Sequence, residues 1–181
     1  KLSLKDLKIK SQAYKNLSSE TAKIQRNEDF LNYVVSMFYI LSINSKTPIT
    51  TADEFNNAFA EIVQEISYDI LSGNQATIDE LSMKAEKILA QAGTIEVPEE
   101  IIDIHLKLLT LTSYGLTFKN SMSVNQSDSA LNLVNLNRFQ EFVNVVSEFH
   151  SEAEIKFSAY PLDENYIQDK LQKLGIKDTN N

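Results

Sequence analysis

Apolar residues recur at helical spacing along almost the whole chain. Leu17, Ile24, Leu31 and Phe38 repeat every seven residues, and Ala13, Val34, Val35 and Leu41 widen that row into a stripe broad enough to face a core. The pattern predicts a long first helix over about 10–44, with an extended lead-in at Leu7 and Ile9. It should stop before Thr47-Pro48, because the proline ring removes a donor and disfavours helical ψ in the residue ahead of it. A second helix opens at Thr51, whose hydroxyl and the Glu54 carboxylate are spaced for a reciprocal capping box. Its stripe is Phe55, Phe59, Ile62, Ile66 and Ile70, closed by Ser72-Gly73-Asn74.

Thr77 and Glu80 have the same capping spacing. They predict a third helix through Leu81, Ala85, Ile88 and Ala92, with Gly93 as a left-handed C-terminal residue. The break at Gly73 either separates two helices or kinks one longer rod. Val97-Pro98-Glu99-Glu100 reads as a helix start, since proline suits the first turn and two carboxylates complement the dipole. The stripe after it is Ile101, Ile104, His105, Leu108, Leu111, Gly115, Phe118 and Met122. Beyond a polar, turn-like stretch over 120–129, a fifth stripe runs Leu136, Phe139, Val143, Val146, His150, Ala153 and Phe157, widened by Phe142 and Phe149. Tyr160-Pro161 ends it, and Asp163 caps a short helix through Tyr166, Ile167, Leu171 and Leu174.

Three of the four glycines and all three prolines fall at these ends; only Gly115 lies inside a helix. Local signals and global pattern therefore agree on an all-α fold. The expected form is an antiparallel helical bundle of five to six helices around a four-helix core. The expected organisation is a single helical domain over 1–181, with 1–9 as lead-in and 162–181 as a short C-terminal helix and tail.

Composition narrows the chemistry. Four glycines and three prolines in 181 residues are too few for sandwiches, barrels or glycine-looped nucleotide sites. With no cysteine, disulfides, thiolate metal sites and cysteine nucleophiles are excluded. A net charge of −8 argues against nucleic acid as a partner. The charge is uneven: residues 1–26 carry +5 and the remainder −13. The basic start reads as either an arm toward a membrane or wall polymer, or a solvated helix start. No run of 18 apolar residues occurs, so no membrane span is expected. A start at Lys1 rather than Met is read as a piece of a longer protein, with any signal or anchor outside it.

Metal chemistry would have to lean on carboxylates. The Glu-x-x-His motif is absent, since Ile102 and Ser147 stand three residues before His105 and His150. If the fourth and fifth helices turn near 125, position 105 lies level with about 146, within a turn of His150. The two imidazoles then either share a site or are separate, partly buried rings bonded to backbone or hydroxyl groups. Glu61, Glu65 and Asp69 form an acidic row, read as a solvated face rather than a cation site. No Gly-x-Ser-x-Gly elbow occurs, and the glycines at 73, 93, 115 and 175 are too far apart for a phosphate loop. The aromatic residues, all Phe or Tyr, fill a core or line a slot between helices, and Gly115 permits close helix approach.

Val97-Pro98, Ile101 or Ile102, His105-Leu106, Leu108-Leu109, Ser127-Asp128 and Phe139 together form a recurrent-looking pattern, as does Leu4-x-Asp6-Leu7-x-Ile9 ahead of them. Over about 1–160 the chain resembles an uncharacterised helical domain of predicted secreted or membrane-anchored proteins of candidate-phyla bacteria, often found downstream of calcium-binding Asp-rich repeats. It departs at Ser129, where that domain tends to have Asp-Pro, and it carries no Asp-rich repeat. The resemblance implies an extracytoplasmic, secreted or surface-anchored setting and no catalytic residue.

Two functions follow as expectations. The first is a non-catalytic structural or interaction module, without cofactor or metal, docking a protein partner or other domains of its own polypeptide. The alternative is a binding module for a small apolar ligand or lipid between the first and fifth helices, with His105, His150, Gly115, Phe38 and Phe142 as pocket residues. A rod should be filled to crystal-like density. A binding module should hold an apolar cavity of at least ~300 Å³ open to solvent.

Overall fold

The structure, a computed structural model, describes residues 7–10, 14, 17–122, 124 and 127–176, apart from the side chains of Thr77, Phe118 and Ser121. The order is β1 (Lys8–Lys10), α1 (Ser19–Asn44), α2 (Ala52–Ser72), α3 (Ala76–Ala92), β2 (Glu96–Pro98), a 3-10 turn (Glu99–Ile101), α4 (Ile102–Ser121), α5 (Ser129–Phe157) and α6 (Glu164–Lys173). Six helices and two three-residue strands among the described residues make this an all-α bundle.

Polar caps set several helix ends. Ser18 accepts from the Thr21 amide, so α1 begins at Ser19 rather than near residue 10. Lys8–Lys10 instead pairs parallel to Glu96–Pro98 as a strand, which agrees with the extended lead-in but gives Val97-Pro98 a strand role ahead of the helix start. Both halves of the Thr51–Glu54 capping box form, and Glu54 also accepts from the Thr50 amide and hydroxyl. Asp128 and Asp163 cap α5 and α6 through the Leu131 and Tyr166 amides. Gly73 is left-handed, with φ 71°, and ends α2. Its conformation separates α2 from α3, so the two are not one kinked rod. Gly93 is right-handed, with φ −65°, because the chain leaves α3 through a tight turn held by the Gln91 and Leu89 carbonyls. Thr77 lies inside α3, which starts at Ala76 with Gln75 ahead of it, so it is not the cap.

Helices α2, α3, α4 and α5 close a ring in which each packs on the next and α5 returns to α2. Cross-helix pairs give the directions. Lys107–Glu152 and Asp103–Lys156 run antiparallel between α4 and α5, and Asp79–Lys119 ties the start of α3 to the end of α4. Helix α1 lies outside this ring against α3, and α6 packs on α1. The seven-residue row of α1 is accordingly split. Leu31 is buried, but Ile24 is 56% exposed and Leu17 43%, because nothing among the described residues covers the first turns of α1 on that side. Ala13 lies outside the described residues.

Most of the buried apolar residues among those described fall into three clusters. One joins α1 to β2, the start of α4 and α6 through Phe30, Leu31, Tyr33, Val97, Ile101 and Leu171. A second closes one end of the ring with Ile70, Ile78, Met122 and Phe139. Ile40, Ala92 and Leu109 bridge α1, α3 and α4. Polar groups fasten the lead-in. Lys10 Nζ lies 2.7 Å from Asp29 Oδ1, and Tyr14 donates to the same carboxylate. Burial alone would raise the Asp29 carboxyl; hydrogen bonds from Lys10, Tyr14 and Gln25 outweigh it and hold the group below the usual range.

Candidate ligand-binding cavity

Inside the four-helix ring lies a cavity of about 360 Å³, partly open to solvent and mostly apolar in its lining. Helix α2 contributes Phe55, Ala58, Phe59, Ile62 and Ile66, and α3 contributes Leu81, Ala85 and Ile88. The floor is Ile78, Met122 and Phe139, members of the cluster that closes the end of the ring. The wall from α4 includes Thr112, Gly115 and Leu116, and Phe142 faces it from α5.

The stripes of α2 and α3 explain why a space remains. Their spacing is regular, yet Phe55, Phe59, Ile66, Leu81, Ala85 and Ile88 are only half-buried, and Ile62 is 37% exposed. Side chains that fill a core normally touch atoms on every side. Here they touch neighbours along their own helix and face open volume across it. Phe55 stacks with Phe59, ring centroids 6.5 Å apart, and with His150 at 6.3 Å.

The segment from Ser45 to Ile49 joins the lining and is pinned from behind. The Ser42 hydroxyl donates to the Ile49 carbonyl at 2.7 Å and accepts from the Ile49 amide at 2.8 Å. Asn44 donates to Gln91 at 2.8 Å, fixing the end of α1 to α3. Gly115 has a steric role here. A Cβ at that position would stand 3.1 Å from Phe142 Cζ, so the absence of a side chain lets the Phe142 ring lie against α4. Tyr114 also meets that ring, centroids 5.9 Å apart.

Of the five residues proposed from sequence, Gly115 and Phe142 line the cavity together. The other three stand apart. Phe38 packs beside the α1–α6 cluster, since α1 is outside the ring; the space therefore lies among α2–α5 and the end of α1, not between α1 and α5. His150 stacks on Phe55 and lies 3.8 Å from Glu154. His105 is fully buried, sharing a 3.0 Å hydrogen bond with the Tyr33 hydroxyl. Burial lowers its pKa to about 4, with the Ala92 backbone acting weakly in the other direction. The imidazoles do not meet, because His105 turns to Tyr33 of α1 and His150 to Phe55 of α2; the α4–α5 ion pairs put position 105 level with about 154 rather than 146.

The acidic row on α2 is not one solvated face. Glu61 is exposed, but Glu65 is half-buried beside Lys46 and Asp69 is 5% exposed. The chain reverses after Gly73, so the Asn74 side chain folds back to donate to Asp69 Oδ1 at 3.1 Å. Asn132 and Asn135 are buried on α5, polar positions that the apolar pattern passed over. No group of three or more metal-ligating side chains occurs among the described residues. No described helix is long and apolar enough to cross a membrane.

Comparison with protein-family models, with curated proteins and with solved structures found no match to this chain.

Proposed function

We propose that the chain is a helical-bundle binding module whose ligand is a small apolar molecule or lipid held inside the α2–α5 ring. The observation that carries this reading is the ~360 Å³ apolar cavity, which falls within the range of small-molecule sites and is open to solvent. The half-burial of two regular apolar stripes supports it, because a chain selected only as a rigid spacer gains stability by closing such a space. The docking-module reading calls for a filled core, and the cavity weighs against it. An extracytoplasmic setting rests on the sequence resemblance alone.

Thermal melts against a panel of straight-chain alcohols and alkanoic acids test the proposal. A ligand at 100 times its Kd adds about 2.7 kcal/mol, which raises the melting point of a chain this size by roughly 5–11 °C. Ala58→Phe, which fills the lining from α2, should abolish the response. A flat panel with folded wild-type protein would refute the proposal.

A further inference from the structure

We infer that the ligand is an anionic single-chain amphiphile, its chain in the cavity and its head against Lys84 and Lys119. This rests on the reading of the cavity as a ligand site. Both lysines belong to the lining, and their side chains are only 28% and 27% exposed. Their stems therefore run along apolar wall while the ammonium groups reach its edge. Their present partners stand outside the lining: Glu80 lies 2.8 Å from Lys84 and is 59% exposed, and Asp79 lies 3.0 Å from Lys119 and is 52% exposed. Asp79 and Glu80 are consecutive residues at the start of α3, so both lysines are tied to the same turn of that helix.

The remaining charges of the lining are Lys46, Glu65 and Glu61. Lys46 and Glu65 offset one another at 3.5 Å. Glu61 is the remaining lining carboxylate, and it is exposed. An ammonium has three donors, and each of these lysines uses one in its ion pair, so an incoming carboxylate or phosphate can be added without breaking either pair. A cationic head would meet two like charges, and a neutral head would leave both cations as they are. The net charge of −8 opposes an anion only weakly at this site, since charges beyond about 8 Å are screened at physiological salt.

Calorimetric titration with decanoate, decyl phosphate, decanol and decyltrimethylammonium, each below its micellar concentration, separates the outcomes. Decanoate or decyl phosphate should bind at least tenfold tighter than decanol, and the advantage should shrink with salt. The stronger of the two anions identifies a fatty-acid or a phosphate head. Lys84→Met with Lys119→Met keeps the stems and should erase the advantage of the anions over decanol; Lys84→Arg with Lys119→Arg should retain it. Decanol binding as tightly as both anions, or a preference that survives the methionine pair, overturns the head-group inference and leaves the cavity reading intact. Failure of all four probes to bind removes both.

Discussion

Replacing Ala85 with leucine asks whether the space in the ring is real. Ala85 is half-buried on α3 and lines the cavity. Leucine adds three carbons, and at about 0.8 kcal/mol for each buried methylene the gross gain is roughly 2.4 kcal/mol. Fixing the leucine rotamer takes back about 0.5–1 kcal/mol. Ala85→Leu should therefore stabilise the fold by about 1.5 kcal/mol. In a core already packed to crystal-like density the same change costs about 1–3 kcal/mol, so the two pictures differ in sign. Urea unfolding followed by far-ultraviolet circular dichroism gives the answer, provided the slope m is unchanged between the two proteins. The melting temperature should rise by roughly 3–6 °C. A lowered midpoint at constant m would refute the cavity and the function proposed for it.

Acid should weaken the fold through His105 before most carboxylates titrate. Its folded-state pKa of about 4 lies below the ordinary 6.5, so the unfolded chain takes up the proton first. The stability contributed by the neutral ring is full above pH 6.5, falls between 6.5 and 4, and is level below 4; linkage gives a loss of about 2 kcal/mol at pH 5. Urea midpoints at pH 7.5 and 5 should show that loss in the wild type and not in His105→Gln; an equal loss in both would assign it elsewhere. Gly115→Ala should be neutral or stabilising by up to about 1 kcal/mol, since alanine favours helix and the Phe142 ring, which borders open space, can yield a few tenths of an ångström. A drop of more than about 1 kcal/mol in thermal or urea unfolding would show that the ring is wedged.

The helical class was legible because its signals are local. The Thr51–Glu54 box, the close of α2 at Ser72-Gly73-Asn74 and the Asp163 cap each depend on residues within a few positions, and each occurs as the spacing predicts. The start of α1 was misjudged because the seven-residue row continues through Leu17, and the Ser18 cap, which decides the matter, interrupts no apolar position. Strand β1 owes its form to pairing with a segment 88 residues away, which no local pattern records. The same limit applied to the site. Gly115 stood out as the single glycine within a helix, and Phe142 as an aromatic beside the fifth stripe. Lys84 and Lys119 carried no signal, since an ordinary surface lysine and one whose stem lies on a cavity wall read alike in sequence.

Periodicity reports which face of a helix turns inward, not whether anything meets it there. Helices α2 and α4 show the difference. Both carry regular apolar stripes, yet Ile104 and Leu109 of α4 are nearly inaccessible while Phe55, Phe59 and Ile66 of α2 are half-buried. Helix α4 meets β2 and α3, and Tyr33 of α1 reaches His105 on it. Helix α2 has α3 and α5 at its sides and the cavity in front. The fold is thus firm where α1, α4 and α6 share the buried cluster around Phe30, and open where the ring runs without a helix at its centre. Under the function proposed above, separation of this kind would let a ligand enter the ring without disturbing the cluster that holds the chain folded.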